Sequence, residues 1–519
     1  MMSTFMGLET SKRGLFTQQT ALYTTGNNIS NANTLGYSRQ RVNMESTAGY
    51  PGIGLNTGTM PGFLGTGVQA GSIQRIRDGF VDQQYRQESN KFGFWEAKAK
   101  AISQMEDVLS EPSAHGLQKS LSQFWQSLSD LATNPTESGA SAVVVRRGEA
   151  VADSFNYMHK SLADIQANLG NEINISTQDI NSMLQQISEL NRQIAEVEPN
   201  GYLPNDLYDA RDMLLDELAM YVPIETNYDK SGGRALAIAE GSVTVTLKMK
   251  EGLKIELVKG NQSATLETNP SSLVGNDKSN NPIEGMKITA ADGTVHMPGH
   301  ADFLDNGKLK SLMSSYGTDT GKVDAAGNKI IEGLYPDMIA ELDKMVLAFT
   351  TKFNEVYASG FPKEGNIGVP TEFFVPKDPT SPLSAGNFKV NDLIVADPNL
   401  FRASTELDEE GNGKNAKLLA DIQSSAIKGL GGSTLETYFQ GVIGKLGVNG
   451  EQAVRNTDNA VTLLGAVEHR RASISAVSLD EEMTDMIRFQ QAYNASARMI
   501  TVVDETLDKI INGMGRVGM

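Results

Sequence analysis

Cysteine is absent from all 519 residues. Without a thiol, disulfide frameworks, thiolate nucleophiles and zinc–thiolate sites are excluded. Long apolar runs are missing too: no stretch approaches the roughly 20 residues that a membrane-spanning helix needs. The opening residues, MMSTFMGLETSKRGLF, lack a basic head followed by an unbroken apolar segment. No Sec-type signal peptide is therefore read, and any exit from the cell takes another route. Basic charge is in deficit, with 45 Lys plus Arg against 63 Asp plus Glu and a net charge of −18. Such a chain repels phosphate backbones and anionic membrane surfaces. The densest early basic residues, Lys12, Arg13, Arg39 and Arg41, are too few to make a patch. Neither nucleic-acid binding nor membrane insertion is expected.

Catalytic signatures are equally scarce. There is no G-x-S-x-G elbow, no P-loop and no G-x-G-x-x-G after a strand. The histidines, at 115, 159, 296, 300 and 469, are scattered. His296, His300 and Asp302 have a ligand-like spacing, but Pro298 and Gly299 break the helix face that would aim both imidazoles at one ion. Asp408, Glu410, Asn412 and Gly413 imitate the start of an EF-hand loop. Its twelfth position is Leu419, where a bidentate glutamate should close the shell. Asp206, Asp209, Asp212, Asp216 and Glu217 recur at helical spacing and read as a solvated helix face, with Asp206 near the helix start where the dipole favours it. No enzyme activity, metal or cofactor is expected.

What the chain does have is a matching pattern at its two ends. Leu8, Leu15, Leu22 and Ile29 recur every seven residues, with Phe5, Phe16 and Tyr23 beside them. Leu479, Met486, Tyr493, Ile500, Leu507 and Met514 do the same, flanked by Met483, Phe489, Val503 and Ile510. A seven-residue period lays one apolar seam along a helix, and such a seam needs a partner. The simplest partner for each end is the other. Polar residues (Lys12, Gln19, Gln490, Asp504) narrow each stripe, so the pair is marginal alone and better stabilised by neighbouring copies.

The interior reads as a nested layout. Residues 3–33 are one helix or a pair, ended by Asn27, Asn28, Asn31, Asn33 and Gly36, residues suited to left-handed backbone. A loop-rich stretch with PGIG and PGFLGTG runs to about Gly79, with one short strand at Val68–Ile73. Helical spacing over 80–133 is punctuated by Pro112. A long helix follows from about Ser138 to Val197. Its apolar row, Phe155, Leu162 and Leu169, then Ile173, Ile180, Ile187 and Ile194, contains one four-residue stutter. Residues 206–222 make another helix. Val243, Val245, Leu247 and Met249, then Leu253, Ile255 and Leu257, alternate across Glu251-Gly252 as a hairpin does. Helical spacing resumes at Tyr335, and from about Ala416 the chain is helical with turns near Gly429–Ser433 and Gly447–Gly450.

The predicted class is mainly α with inserted β, in several domains. Residues 1–45 with 475–519 form a terminal coiled coil. Residues 46–222 with 301–360 and 415–474 form an elongated helical bundle. Residues 223–300 are an inserted β-rich outer domain, and 361–414 an extended excursion of the middle one.

The end segments also carry a resemblance. GLETSKRGLFTQQTALYTTGNNISNANTLGYSRQRV is similar to the N-terminal signature of flagellar axial proteins, and SLDEEMTDMIRFQQAYNASARMITVVDETLDKII to their C-terminal one. The Gly36-Tyr37-Ser38-Arg39-Gln40 variant most resembles the hook-associated proteins at the hook–filament junction, as does FKVNDLIVADPNLFRAS at 388–404. The resemblance covers roughly residues 3–45 and 475–513. It implies an extracellular structural subunit of the bacterial flagellum, exported unfolded by a type III route without a cleaved signal. It implies a cytosolic export chaperone on the C-terminal helix, and contacts with its own copies, the hook protein and a second junction protein. The assembly seam would comprise Leu8, Leu15, Leu22 and Ile29 with Leu479, Met486, Phe489, Tyr493, Ile500, Val503 and Leu507. Asn27, Asn28, Asn31, Asn33, Gly36 and Tyr37 would shape the turn out of the axial tube. The competing expectations are another axial component, from hook or rod, and a scaffold-borne cell-wall hydrolase using 223–300 or 361–414.

Overall fold

The computed structural model describes residues 5–50, 64–109, 116–137, 139–271, 273, 281–323, 329–362, 370–407 and 409–513. The expected class holds: long helices dominate, and small antiparallel sheets are inserted between them. The first segment is one helix, α1 (Phe5–Ser30). An antiparallel ribbon follows, β1 (Gln40–Ser46) on β2 (Val68–Arg75). The loop reading therefore missed β1 and shortened β2; PGIG and most of PGFLGTG lie outside the described residues.

The body is organised on α4 (Ala140–Val197), a single helix of 58 residues and about 87 Å at 1.5 Å per residue. Phe155, Leu162, Leu169, Ile173, Ile180, Ile187 and Ile194 are all buried along one stripe. The stutter keeps that stripe aimed inward over the whole length, so the helix buries a continuous face. Around it pack α2 (Gly79–Leu109), α3 (Leu117–Thr133), α5 (Asn205–Tyr221), α6 (Lys308–Tyr316) and α7 (Leu334–Ala358). Ser138 and Pro112 lie outside the described residues.

The inserted β region holds two sheets, β3 (Ile224–Asp229), β4 (Ser242–Lys248), β5 (Lys254–Lys259) and β6 (Gln262–Ser263), then β7 (Thr265–Asn269), β8 (Gly285–Thr289) and β9 (Val295–His296). The β4–β5 turn puts Glu251 at φ 58° and Gly252 at φ 77°, the left-handed pair that a tight hairpin requires. The sheets do not close a core of their own; their inner face belongs to one apolar cluster with α4. Asn191 of α4, fully buried, donates to the carbonyls of Val243 and Gly260 at 2.8 and 3.0 Å and accepts from the Val243 N–H at 2.9 Å. A further hairpin, β10 (Thr318–Val323) on β11 (Lys329–Glu332), precedes α7.

The excursion after α7 contains β12 (Phe374–Val375) on β13 (Lys389–Val390), α8 (Asp392–Ala396) and α9 (Lys414–Ala420). Its anchor is aromatic: Phe373, Phe374 and Phe388 join Phe124, Phe349 and Phe353, with ring centroids 4.8–6.2 Å apart. The chain then returns in α10 (Leu435–Ser475) and α11 (Leu479–Asp508). The turn expected near Gly447–Gly450 does not form, because α10 runs straight through it. Gly450 instead lies where α10 packs along α2, antiparallel to it, from Ile102 and Glu106 to Tyr85. A Cβ on Gly450 would sit 2.7 Å from Glu106 Oε1 and 3.1 Å from Ile102 Cγ2, so glycine keeps this approach free of crowding.

Candidate assembly interface

The two terminal helices pair antiparallel. A Cβ built on Gly7 would lie 3.6 Å from Val503 Cγ2, and one on Gly14 3.3 Å from Ser496 Oγ. Asn28 reaches Glu482, its Nδ2 3.0 Å from Oε2. Each step of seven along α1 is matched by seven back along α11, a constant heptad register. Small side chains at the closest approach bring the backbones together. The apolar heptad of α1 is thus displaced from that line: Leu8, Leu15, Leu22 and Ile29 are half-buried, and the fully buried positions are Thr17, Ala21, Thr24, Thr25 and Asn28. Thr17 faces the ribbon, its hydroxyl donating to the Val68 carbonyl at 3.2 Å.

On α11, Met486, Phe489, Tyr493, Ile500, Val503 and Leu507 are half-buried. Leu479, Met483, Ile487, Met499 and Val502 are exposed, as are Phe16 and Tyr23 of α1, Tyr23 at 83%. Met514 lies outside the described residues. The first turn of α11 carries Asp480, Glu481 and Glu482, where carboxylates suit the positive end of the helix dipole.

Where the pair joins the body, a polar knot closes it. Buried Asn28 uses its whole hydrogen-bonding capacity: Nδ2 donates to the Gln40 carbonyl (2.8 Å) and Glu482, and Oδ1 accepts from the Tyr37 hydroxyl (2.8 Å) and the Gln40 N–H (3.0 Å). Glu482, 2% exposed, also accepts from Arg39 Nε at 2.6 Å, and Arg39 reaches Glu481 at 2.5 Å. Burial, then Asp206, Asp209 and Glu482, push the Tyr37 hydroxyl pKa well above its ordinary value, so it stays a donor. Asn31 folds back on Asn27, its Nδ2 2.8 Å from Oδ1, and accepts from the Thr34 hydroxyl at 3.2 Å. Gly36 turns the chain at φ 79°, a left-handed angle that disfavours a side chain. Asn33 is exposed at this turn. Arg39 and Glu482 are structural members of the joint that the apolar pattern could not reveal.

A second polar system lies directly beneath. Of the α5 carboxylates expected on a solvated face, Asp206 and Glu217 are on one, and Asp209, Asp212 and Asp216 are not. Asp209 and Asp212 are buried among arginines brought from β2, α2 and the segment between them. Asp212 meets Arg75 at 2.6 Å, Arg86 at 3.0 Å and Arg77 at 3.1 Å. Asp209 meets Arg75 at 2.9 Å, and Asp216 bridges Arg86 (2.8 Å) to Arg471 of α10 (2.5 Å). Burial alone would raise the Asp212 pKa; Arg75, Arg77 and Arg86 overcome it and hold the carboxyl well below the usual range. The Ser38 hydroxyl donates to Asp209 at 2.6 Å, tying the turn after α1 to this network. Glu217 is exposed, as is Asp206, which accepts from Gln40 Nε2 at 3.2 Å.

The ligand-like spacings do not converge. His296 Nε2 lies 3.1 Å from the Thr294 hydroxyl, His300 Nε2 3.0 Å from the Ser314 hydroxyl, and Asp302 accepts from the Gly299 N–H at 2.8 Å. In the acidic turn, Asn412 donates to Thr405 Oγ1 and Glu409 Oε2 at 3.1 and 2.9 Å; Asp408 is outside the described residues.

Comparison with known proteins follows this division of the molecule. Residues 102–374 match the family model for the helical domain of flagellar hook-associated protein FlgK. Residues 8–37 match that of flagella basal body rod proteins, and 471–513 that of the FlgEFG rod protein C-terminus. The chain is 44% identical to flagellar hook-associated protein 1 of Bacillus subtilis, over 99% of both chains. It is 24% identical to the protein of the same name from Escherichia coli, over 96% of this chain and 98% of that one. The structure of the flagellar hook junction protein FlgK from Burkholderia pseudomallei superposes with a TM-score of 0.57 at 13% identity, covering 76% of this chain and all of that one, a likeness of fold.

Proposed function

The chain belongs to the flagellar hook-associated protein 1 family, structural subunits of the hook–filament junction, and from that premise we propose that its α1–α11 pair is the surface through which copies assemble. The observation that carries this reading is the leftover apolar surface: after α1 and α11 have paired, the described heptad residues are half-buried, except Leu479, which is exposed. A marginal pair with apolar flanks is completed by neighbours. Leu8, Leu15, Leu22 and Ile29, with Leu479, Met486, Phe489, Tyr493, Ile500, Val503 and Leu507, are the seam. Asn27, Asn28, Asn31, Asn33, Gly36 and Tyr37 set the angle at which the body leaves it. Each copy presents one face and receives another, the heterologous arrangement that builds open helical arrays.

The protein is part of the flagellum and assembles with other axial components. More finely, its partners are its own copies, the hook protein below and a second junction protein above. A cytosolic chaperone holds α11 before export, and export proceeds without a cleaved signal peptide. The paired ends 1–45 and 475–519 form the inner layer. The helical body (46–222, 301–360 and 415–474) with its excursion (361–414) forms the middle, and the β region (223–300) faces outward. The role is purely structural, in keeping with relatives that carry the names of flagellar structural proteins.

The test is deletion of the gene, with electron microscopy of the cells and a flagellin assay of the medium. Bare hooks with flagellin lost to the medium are expected. Normal filaments would overturn the reading, and missing hooks would move the protein to the hook or rod.

A further inference from the structure

Between α1, β1 and α11 lies an open groove of about 290 Å³. Ala21 and Thr25 form its α1 wall, Arg41 and Met44 its β1 side, and Arg488 and Phe489 its α11 side. Arg488 already lies over the Phe489 ring, 4.9 Å from its centroid. Glu482 and Asp485 also line the groove, and Arg488 pairs with Asp485 at 2.9 Å. Beside these ion pairs, guanidinium groups, a thioether and a ring are surroundings in which an additional aromatic ring is favoured, through its negative face and its polarizable contacts. The groove has room for one such side chain.

The matching projection lies on the same helix. Tyr23 stands two residues from both Ala21 and Thr25, about 200° around α1, and therefore points away from the groove at the same height. At 83% exposed it is the barest aromatic ring among the described residues. A knob and its hole on opposite sides of one element cannot meet within a chain. They meet when copies stand side by side, and the contact then repeats from copy to copy. We propose that Tyr23 of each copy seats in the groove of the next, its ring between Arg41 and Arg488 and against Met44 and Phe489. This rests on the reading of the α1–α11 pair as the assembly surface, and names the lateral contact within it.

The natural chain has no cysteine, so every thiol in the test is an introduced one. Flagella are purified from cells producing Tyr23→Cys, Met44→Cys, or both in one chain. On mild oxidation the double variant is expected to give a ladder of cross-linked copies, and neither single variant does. Maleimide labelling of Tyr23→Cys separates the possible failures. A thiol shielded in flagella, reactive in the free chain, yet not cross-linked to position 44 overturns this contact and leaves the assembly reading standing. A thiol equally reactive in both states overturns both. Should Tyr23→Cys not assemble, swimming retained by Tyr23→Phe and lost in Tyr23→Ser supports the ring contact; any other pattern overturns it.

Discussion

Replacing Asp212 by Asn tests whether the buried arginine cluster holds the body together. Asp212 is 1% exposed and faces Arg75, Arg77 and Arg86 at 2.6–3.1 Å. Removing one partner of a buried ionic group costs about 3–5 kcal/mol, because the charges left behind are uncompensated. Here each arginine keeps a second carboxylate: Asp209 for Arg75, Asp82 for Arg77 and Asp216 for Arg86. The lower end, about 3 kcal/mol, is therefore expected. With a urea dependence of about 3 kcal/mol per molar, that is a midpoint shift of about 1 M. Trp95, on the same helix as Arg86, reports from the affected side of the body by fluorescence. Glu217→Gln, on the exposed side of α5, is the control and is expected to stay within about 0.5 kcal/mol. The sign with pH follows from the depressed pKa. The contribution of Asp212 is full above the ordinary carboxylate range and is lost as pH falls through the lower folded-state value. A midpoint shift no larger than that of the control would refute the claim that these charges are a structural joint.

Three further outcomes are expected. Leu22→Asp or Ile500→Asp leaves the circular dichroism of the body unchanged but abolishes assembly, and unaltered swimming in such strains would sink the seam assignment. Gly450→Leu forces α10 off Ile102 and Glu106, at about 1–3 kcal/mol of overpacking, read as a lower midpoint in thermal denaturation. His300 is held neutral, its pKa pushed down to about 4 by burial and then by the Lys310 charge. The unfolded chain binds this proton near pH 6.5 and the folded one does not, so stability falls as pH drops from about 6.5 to about 4, by about 1–2 kcal/mol. His300→Gln should flatten the urea midpoint over that window.

What could be read from the sequence was whatever is encoded locally. The α4 stripe was visible because seven apolar residues keep one face across a stutter, and the β4–β5 hairpin because alternation brackets Glu251-Gly252. β1 was not, since its alternation amounts to only Val42 and Met44 among polar residues and its pairing with β2 spans a loop. The α5 carboxylates misled for a related reason. Acidic residues at helical spacing look alike whether they meet water or arginine, and Arg75, Arg77 and Arg86 lie more than 120 residues upstream of them. The pairing of the terminal helices could be inferred from their periods. The line of closest approach could not, because small residues at Gly7, Gly14 and Ala21 carry no hydropathy signal.

The knot between Asn28 and Glu482 joins positions 454 residues apart. Closing so long a loop in an unfolded chain carries an entropic penalty of about 5 kcal/mol before any contact compensates it. Once the body has folded, that penalty has already been met. Ser38 is fixed on Asp209, the Arg39 amide lies on the Ser475 carbonyl at 2.9 Å, and the two helices start from neighbouring anchors. The folded body thus holds the two ends on neighbouring anchors, so that their pairing needs no further long-range search. A lengthened or shortened β region changes the outline of the molecule without changing the distance those ends must search.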